Sequence, residues 1–403
     1  MNTAAASALP SARKPVLFSY GFRPFFLLAG LAAPINMAIW LCVYFHPSLW
    51  PEHAVPAMYW HAHEMLFGFA AAAIGGFLLT AVPNWTGQKS CSGLPLICLT
   101  GLWLAGRIAM APLGVLAPVA ASAIDLAFFP ALILVLAPPL VRARKQRNLM
   151  FVGLLTMIFL ANLVFHLGAD GFFPAGEYIG LGVALDIVML LIVIIGGRII
   201  PAFTKGGMAR HGIVILNPVN KWLEIFSIAS IVAVLAADMA MPLSPWNGLV
   251  ALVAALTQAL RLAQWQGHRT ARDPLVWVLH LGYAWLVVGL GLKAVWLLTA
   301  LPFAEKWIHA LTIGAFTTMI LAVMTRASLG HTGRALVAPP GIAACYGLVT
   351  ITALIRVFAP ALFPDRYDEI IAISGIFWIA AFGIYLFVYA PILAGSRADG
   401  KPG

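Results

Sequence analysis

Long apolar runs, separated by short polar breaks that often carry proline or glycine, set the pattern of this chain from end to end. A bilayer core of about 30 Å takes roughly 20 apolar residues per helix. That window selects twelve runs, at 25–45, 58–82, 93–111, 114–137, 149–168, 177–200, 221–240, 246–264, 275–299, 305–327, 337–360 and 369–394. Pro112 and Gly114 barely separate the third from the fourth. The pattern predicts an all-α polytopic membrane protein. Each loop is too short to fold alone, so 1–403 reads as a single twelve-helix transmembrane domain with an N-terminal tail, 1–24, and a C-terminal tail, 395–403. The first residues carry Arg13 and Lys14 but no short apolar core followed by a small-residue cleavage site, so they are expected to persist as a tail rather than act as a signal peptide.

Composition agrees with the pattern. Of the 403 residues, 62% are hydrophobic and only 9% charged, the mean hydropathy is +0.95, and a soluble domain carries about 25% charged residues. The net charge of +10 raises the question of nucleic acid, but basic patches with interleaved aromatics are absent. The basic residues follow topology instead. With twelve spans and the N-terminus inside, the inner segments hold Arg23, Lys89, the cluster from Arg142 to Arg147, Arg198, Lys205, Arg210, Lys221, Arg261, Arg269, Arg272, Arg326, Arg334, Arg397 and Lys401. The outer loops hold Lys306 and Arg366 against Glu52, Asp170, Glu177, Asp238, Asp365, Asp368 and Glu369. This alternation places both termini in the cytoplasm by the positive-inside rule.

A weak internal repeat is visible. Placing His63 on His309 superposes Gly68 on Gly314, Thr80 on Arg326, Thr86 on Thr332 and Gly87 on Gly333. The end of the sixth run, "RIIPAFTK", aligns with "TAVPNWTG" when Pro83 lies on Pro201, Trp85 on Phe203 and Thr86 on Thr204. Runs two, six and ten are four helices apart, which suggests three parallel four-helix units in pseudo-threefold array. The parallel sense argues against an inverted-repeat transporter.

Topology then gives the histidines a depth. His61, His63, His166 and His309, from three helices, all fall in the outer part of the bilayer. Neutral imidazole is a common metal ligand, and polar groups within spans face the bundle interior or a cavity. Taken singly, each histidine reads as a hydrogen-bonded core residue or as a member of an interfacial belt with Trp60 and Trp307. Four at one depth point to a metal or haem site. Helical residues advance about 100° each, so His61 and His63 project about 200° apart and serve two sites on opposite sides of their helix.

Glu64 faces neither histidine directly in this reading. It is a candidate catalytic or proton-carrying group, a partner for a ligand imidazole on a neighbouring helix, or a plain interfacial carboxylate. Lys293 and Arg107 lie in the outer third of their spans, where they pair with an anion such as haem propionates or snorkel to the headgroups; snorkelling is the preferred reading for Arg107. His280 is a weaker ligand candidate, equally readable as a core histidine. His211, His268 and His331 read as solvated loop residues, and His46 and His53 as members of the first outer loop. Cys42, Cys91, Cys98 and Cys345 show no CxxC spacing, which suggests neither a disulfide framework nor a thiolate metal site. "GGRIIPAFTKGG" lacks phosphate-loop spacing.

The segments "SYGFRPFFLLAG", "WHAHEMLFGFAAAAIGGFLLTAVPNWTG", "GGRIIPAFT" and "HALTIGAFTTMILAVMTRASLGHTGR" resemble the NnrS family across essentially the whole chain. That resemblance implies a twelve-helix bacterial inner-membrane protein that binds haem and copper and belongs to the response to nitric oxide in denitrification or nitrosative stress. It does not fix a reaction. The three-unit pattern is also similar to the catalytic subunits of haem-copper oxidases and nitric oxide reductases, although no adjacent His-His pair is present for copper, and a fold-level likeness cannot carry function. Three readings stand. One is a haem and copper protein that binds, reduces or detoxifies nitric oxide with an unnamed electron donor. The second is a transporter of a metal or small anion using the same histidines. The third is a non-catalytic haem sensor or cofactor-delivery protein.

Overall fold

The computed structural model describes residues 16–51, 55–112, 116–144, 146–214 and 220–401. Residues 1–15 of the N-terminal tail, His53 and Gly114 lie outside them. Among the described residues there is no strand, and the chain forms twelve helical segments: α1 (Phe22–Phe45), α2 (Ala57–Thr86), α3 (Leu94–Ala109), α4 (Pro118–Arg142), α5 (Arg147–Ala169), α6 (Gly176–Ala209), α7 (Lys221–Ala240), α8 (Pro245–Gln264), α9 (Pro274–Thr299), α10 (Pro302–His331), α11 (Ile342–Leu362) and α12 (Pro364–Ala394). Eleven of them are long and apolar enough to cross a membrane.

The exception is α3, expected as a full span over 93–111. Its 16 residues reach only about 24 Å at 1.5 Å per residue. It nonetheless runs alongside α2: Gly93 N donates to Phe18 O at 2.9 Å just before α1, and Met110 O accepts from Trp60 Nε1 at 2.7 Å near the start of α2. Trp60 is therefore a buried tie between helices rather than part of an interfacial belt.

Other boundaries differ for local reasons. α11 begins at Ile342 instead of 337 because Pro339 and Pro340 supply no N–H and Gly341 takes the left-handed conformation at φ +85°. α6 continues to Ala209, past the apolar run, because a helix does not stop where hydropathy falls. Helix starts follow ordinary capping chemistry: the Asp273 side chain accepts from Leu275 N at 3.1 Å with Pro274 in the first turn, and Asn220 and Ser244 cap α7 and α8.

α2, α6 and α10 form the interior, with 83%, 72% and 72% of their most apolar windows buried, against 28% for α7. The outer helices instead expose large apolar groups such as Leu134, Trp246, Val253 and Phe387, as a lipid-facing surface requires. Both described chain ends meet at one end of the bundle. Arg23, buried at the start of α1, donates through Nη1 to Leu393 O at 2.7 Å and Gly395 O at 2.8 Å, and Ala398 N donates to Thr332 O at 2.9 Å. Residues 395–401 are thus docked rather than a free tail. Several cations assigned to inner segments, Arg23, Arg261 and Arg326, are buried in helices.

The alignment of His63 with His309 has a structural counterpart. A π-helical stretch begins one residue after each, at Glu64–Ala70 and Ala310–Thr317. Gly87 and Gly333, also aligned, both adopt left-handed φ, +71° and +70°, just past the ends of α2 and α10. α6 is α-helical throughout and runs past the corresponding position. These two local features recur in α2 and α10 and not at the corresponding positions of α6, and they do not show three equivalent four-helix units.

α5 and α6 touch backbone to backbone at Gly168, Gly176 and Gly180. A Cβ on Gly180 would lie 2.4 Å from Ala161 O and 2.7 Å from Phe165 N, whereas one on Gly182 would meet nothing within 4 Å. Gly180→Val should therefore cost about 1–3 kcal/mol or more, read as a lowered thermal unfolding midpoint of the purified protein. Gly182→Ala should stay within about 0.5 kcal/mol of the parent. Equal midpoints for the two would contradict this packing.

Candidate metal centre

The four outer histidines divide between the two sides of α2. His63 points towards α4 and α5, and His61 points towards α1, where its ring stacks on Trp40 with centroids 4.7 Å apart and planes at 22°. His309 belongs with His61, since both have Arg356 of α11 as a charged neighbour. The opposed directions read from the helical period are the directions seen.

On the α4–α5 side a polar cluster is sealed in the bundle. His63, Glu64, Asp125, Asn162 and His166 are each at most 2% exposed. Arg107 of α3 reaches in from the rim; its Nη1 donates to Glu64 Oε1 at 2.6 Å and its Nη2 donates to Asp125 Oδ1. Asp125 Oδ2 accepts from Asn162 Nδ2 at 2.8 Å and lies 2.9 Å from His166 Nε2 and 3.4 Å from His63 Nε2. His63 Nδ1 lies 3.2 Å from Glu64 Oε1, and its Nε2 lies 3.0 Å from Asn162 Oδ1.

Local sequence makes this possible. A Cβ on Gly68 would sit 2.9 Å from Arg107 Nη1, and one on Gly106 would sit 3.1 Å from Asp125 Oδ1, so both glycines make room for the guanidinium and the carboxylate. The π-helical turn from Glu64 is of the kind that recurs at functional sites, and Trp103 Nε1 donates to Gly68 O inside it at 3.2 Å.

The charge count is informative. Two carboxylates and one guanidinium leave the cluster one positive charge short when the imidazoles are neutral. A neutral imidazole donates once, yet His63 has oxygen atoms against both nitrogens. A buried site of this kind calls for a further cation, either a proton on His63 or a metal ion against Nε2. His63, Asp125 and His166 each offer a ligand atom within 4.8 Å of the others, and among the described residues theirs is the group of histidine, cysteine and acidic side chains so placed. Tetrahedral bonds of about 2.0–2.2 Å set donors about 3.3–3.6 Å apart; the 3.4 Å between Asp125 Oδ2 and His63 Nε2 falls in that range, and the 2.9 Å to His166 Nε2, a hydrogen-bond distance, would lengthen by about half an ångström around a metal.

On the α1 side the chemistry is different. His61 Nδ1, His309 Nδ1 and Arg356 Nη1 are buried without a hydrogen-bond partner. Arg356 Nη2 donates to Tyr367 Oη at 3.0 Å. This is a group of nitrogen atoms with no carboxylate among its described partners, suited to a ligand that brings acceptors or a metal.

Several expectations are corrected. Glu64 does face His63, its chain neighbour, and is fixed by Arg107. Arg107 does not snorkel; it is an internal cross-link. Lys293 is neutralised within the protein, because its Nζ donates to Asp238 Oδ2 and lies 5.0 Å from the Trp307 ring centre; Asp238 belongs to α7 rather than to a loop. His280 lies apart from the four outer histidines, with Nε2 2.8 Å from Thr204 Oγ1, a hydroxyl that itself donates to Ile200 O. His331 is not a solvated loop residue: it ends α10, half-buried, with its ring 5.6 Å from that of Phe22. His46, His211 and His268 are exposed. Asp125 and Asn162 were not anticipated, although a lone carboxylate within an apolar span and an asparagine four residues before His166 were signals for both.

Compared with known families, the chain matches the one described as NnrS protein over residues 16–397. No curated protein matches it.

Arg107→Met would leave Glu64 and Asp125 buried without their fixed cation, at a cost of about 3–5 kcal/mol. The expected outcome is a clear drop in the thermal unfolding midpoint, partly recovered when Glu64→Gln and Asp125→Asn are added. An unchanged midpoint in the single variant would show that the guanidinium does not hold the cluster.

Proposed function

The chain belongs to the NnrS family, and on that premise we propose that it is a haem- and copper-binding membrane protein of the nitric oxide response. In this reading copper takes the His63, Asp125 and His166 donors, and His61 and His309 hold haem iron. The observation that carries it is the separation of the histidines into two unlike donor groups by the single helix α2.

The donor chemistry suits each group. Two imidazoles and a carboxylate accept a first-row metal such as copper, and a cuprous ion would supply the one positive charge that Glu64, Asp125 and Arg107 leave missing. Arg107 keeps Asp125 Oδ1 engaged, so Oδ2 is the ligand oxygen, and Asn162 orients it. On the other side, His61 and His309 bring rings that hydrogen-bond to no described residue, and Arg356 carries the free donor a propionate would take. Bound, these metals would supply redox couples and a coordination position for nitric oxide. Glu64, hydrogen-bonded to His63, would hold or pass a proton there. A small apolar gas reaches such buried sites through the bilayer.

In the same reading the end of the bundle that gathers Lys89, Arg142, Arg210, Arg269, Arg334 and Arg397 faces the cytoplasm, which the positive-inside rule supports, and family membership supports a bacterial inner membrane. The proton that could replace copper on His63 supports a second reading, a metal-free proton or ion path.

Optical spectra and copper analysis of the full chain, purified after expression with ample haem and copper, decide between them. The proposal expects a Soret band that shifts with nitric oxide and bound copper. It expects His61→Ala and His309→Ala to lose the haem signal, and His63→Ala, His166→Ala and Asp125→Asn to lose copper while keeping haem. A colourless protein free of copper would overturn it, and so would metal contents indifferent to all five substitutions.

A further inference from the structure

At the opposite end of α2 from the histidines, α2, α6 and α10, with Phe26 of α1, line a partly open cavity of about 340 Å³. We propose that it binds a small organic monocarboxylate with a flat apolar body. The cavity is separate from both histidine groups, and the inference rests on neither metal.

Arg326 carries the argument. It lies on an interior helix, is 6% exposed and lines the cavity, and its Nη1 is buried without a hydrogen-bond partner. No described carboxylate lies within 4.0 Å of it, as one does for Arg107, Arg261 and Lys293. Nor does the sequence hold one in reserve at this end: the segments outside the described residues contain a single acidic side chain, Glu52, which precedes the far end of α2. A buried guanidinium of this kind is costly until an anion meets it, and its planar fork matches a carboxylate with two parallel hydrogen bonds.

The other walls define the rest of the ligand. The Arg326 guanidinium lies 4.1 Å from the Phe203 ring centre, and Phe26, Phe77, Val323 and Ala327 continue an apolar lining. Of the polar wall groups, Thr80 Oγ1 donates to Gly76 O and Asn84 Nδ2 to Thr80 O, while the His331 ring packs 5.6 Å from that of Phe22. Arg198, the second cation at the cavity, donates to Asn148 Oδ1 at 3.2 Å and to Arg147 O at 3.3 Å, and lies over Trp85. Arg198 spends its printed donors on neutral acceptors, so Arg326 is the guanidinium with a free donor, and in a largely apolar chamber it matches a carboxylate on a hydrophobic body better than a highly hydrated anion such as phosphate. The volume, near the lower end of the usual 300–1,000 Å³ for ligand pockets, keeps that body small.

Benzoate is a suitable probe, titrated calorimetrically into the detergent-purified full chain, with uncharged benzamide and inorganic phosphate as comparisons. Benzoate should bind saturably at one site, and benzamide about tenfold or more weakly, the loss of a charge-assisted hydrogen bond. Phosphate should not displace it. Arg326→Gln should weaken benzoate by a similar factor and Arg326→Lys by less, while Ala327→Phe, which fills the chamber and leaves the charge, should also abolish binding. Equal affinities for benzoate and benzamide, displacement by phosphate, or no measurable benzoate binding would each overturn the proposal. Should Arg326→Gln not fold, undiminished binding in Ala327→Phe would overturn it alone.

Discussion

One guanidinium ties this bundle together at its chemical centre. Arg107 holds Glu64 from α2 and Asp125 from α4 at the same time, and both carboxylates are 2% exposed, so water cannot readily take over either role. Three charges brought out of water are expensive, and each is tolerable only while the others stay in place. The surrounding sequence conforms to that requirement. Gly68 and Gly106 leave room for the guanidinium and the carboxylate, and Trp103 lies beneath the cation with its ring centre 5.8 Å away. The backbone of α2 opens into a π-helical turn where Glu64 leaves it.

Fixing Asp125 fixes what converges on it. His63 and His166 come from different helices yet address the same carboxylate oxygen, and that shared oxygen makes a ligand set out of two otherwise ordinary histidines. Since α2 is held by this cluster on one face, His61 is directed to the other, against Trp40 and in the field of Arg356. The helix is a partition between a donor group one positive charge short and a donor group without an anion. Elsewhere the bundle pairs buried Lys293 with Asp238 and Arg261 with Glu224 and gives buried Arg23 the carbonyls of Leu393 and Gly395, which is how ionised groups persist within a membrane. Arg326 departs from that habit, and the departure gives the cavity at the other end of α2 its chemistry.

Hydropathy alone reaches far in such a protein, because the bilayer imposes one length and one polarity on every span. The twelve segments were legible in order, with α3 overextended because its apolar composition outruns its helical length. The angle between His61 and His63 was legible too, since it follows from the helical period. Asp125 and Asn162 were hidden by the same averaging: in "ASAIDLAFF" and "LANLVFHL" one polar residue barely lowers a window of twenty. Asp238 was misread as a loop acid because its run ends two residues later, although a helix end can still point a carboxylate inward to a lysine. Pairings between helices, even consecutive ones such as Arg107 of α3 with Asp125 of α4, depend on packing that no local pattern encodes. Of the repeat expected from a handful of identities, the backbone shows only that a π-helical turn and a following left-handed glycine recur in α2 and α10.

The central claim is that α2 separates two donor groups and that the one built on Asp125 is a copper site with two imidazoles and one oxygen. X-ray absorption at the copper edge of the copper-loaded full chain tests this directly. The account predicts the multiple-scattering signature of two imidazoles together with an oxygen at about 2.0–2.2 Å. Sulfur in the first shell, three or more imidazoles, or a spectrum of loosely bound aqueous copper would contradict it.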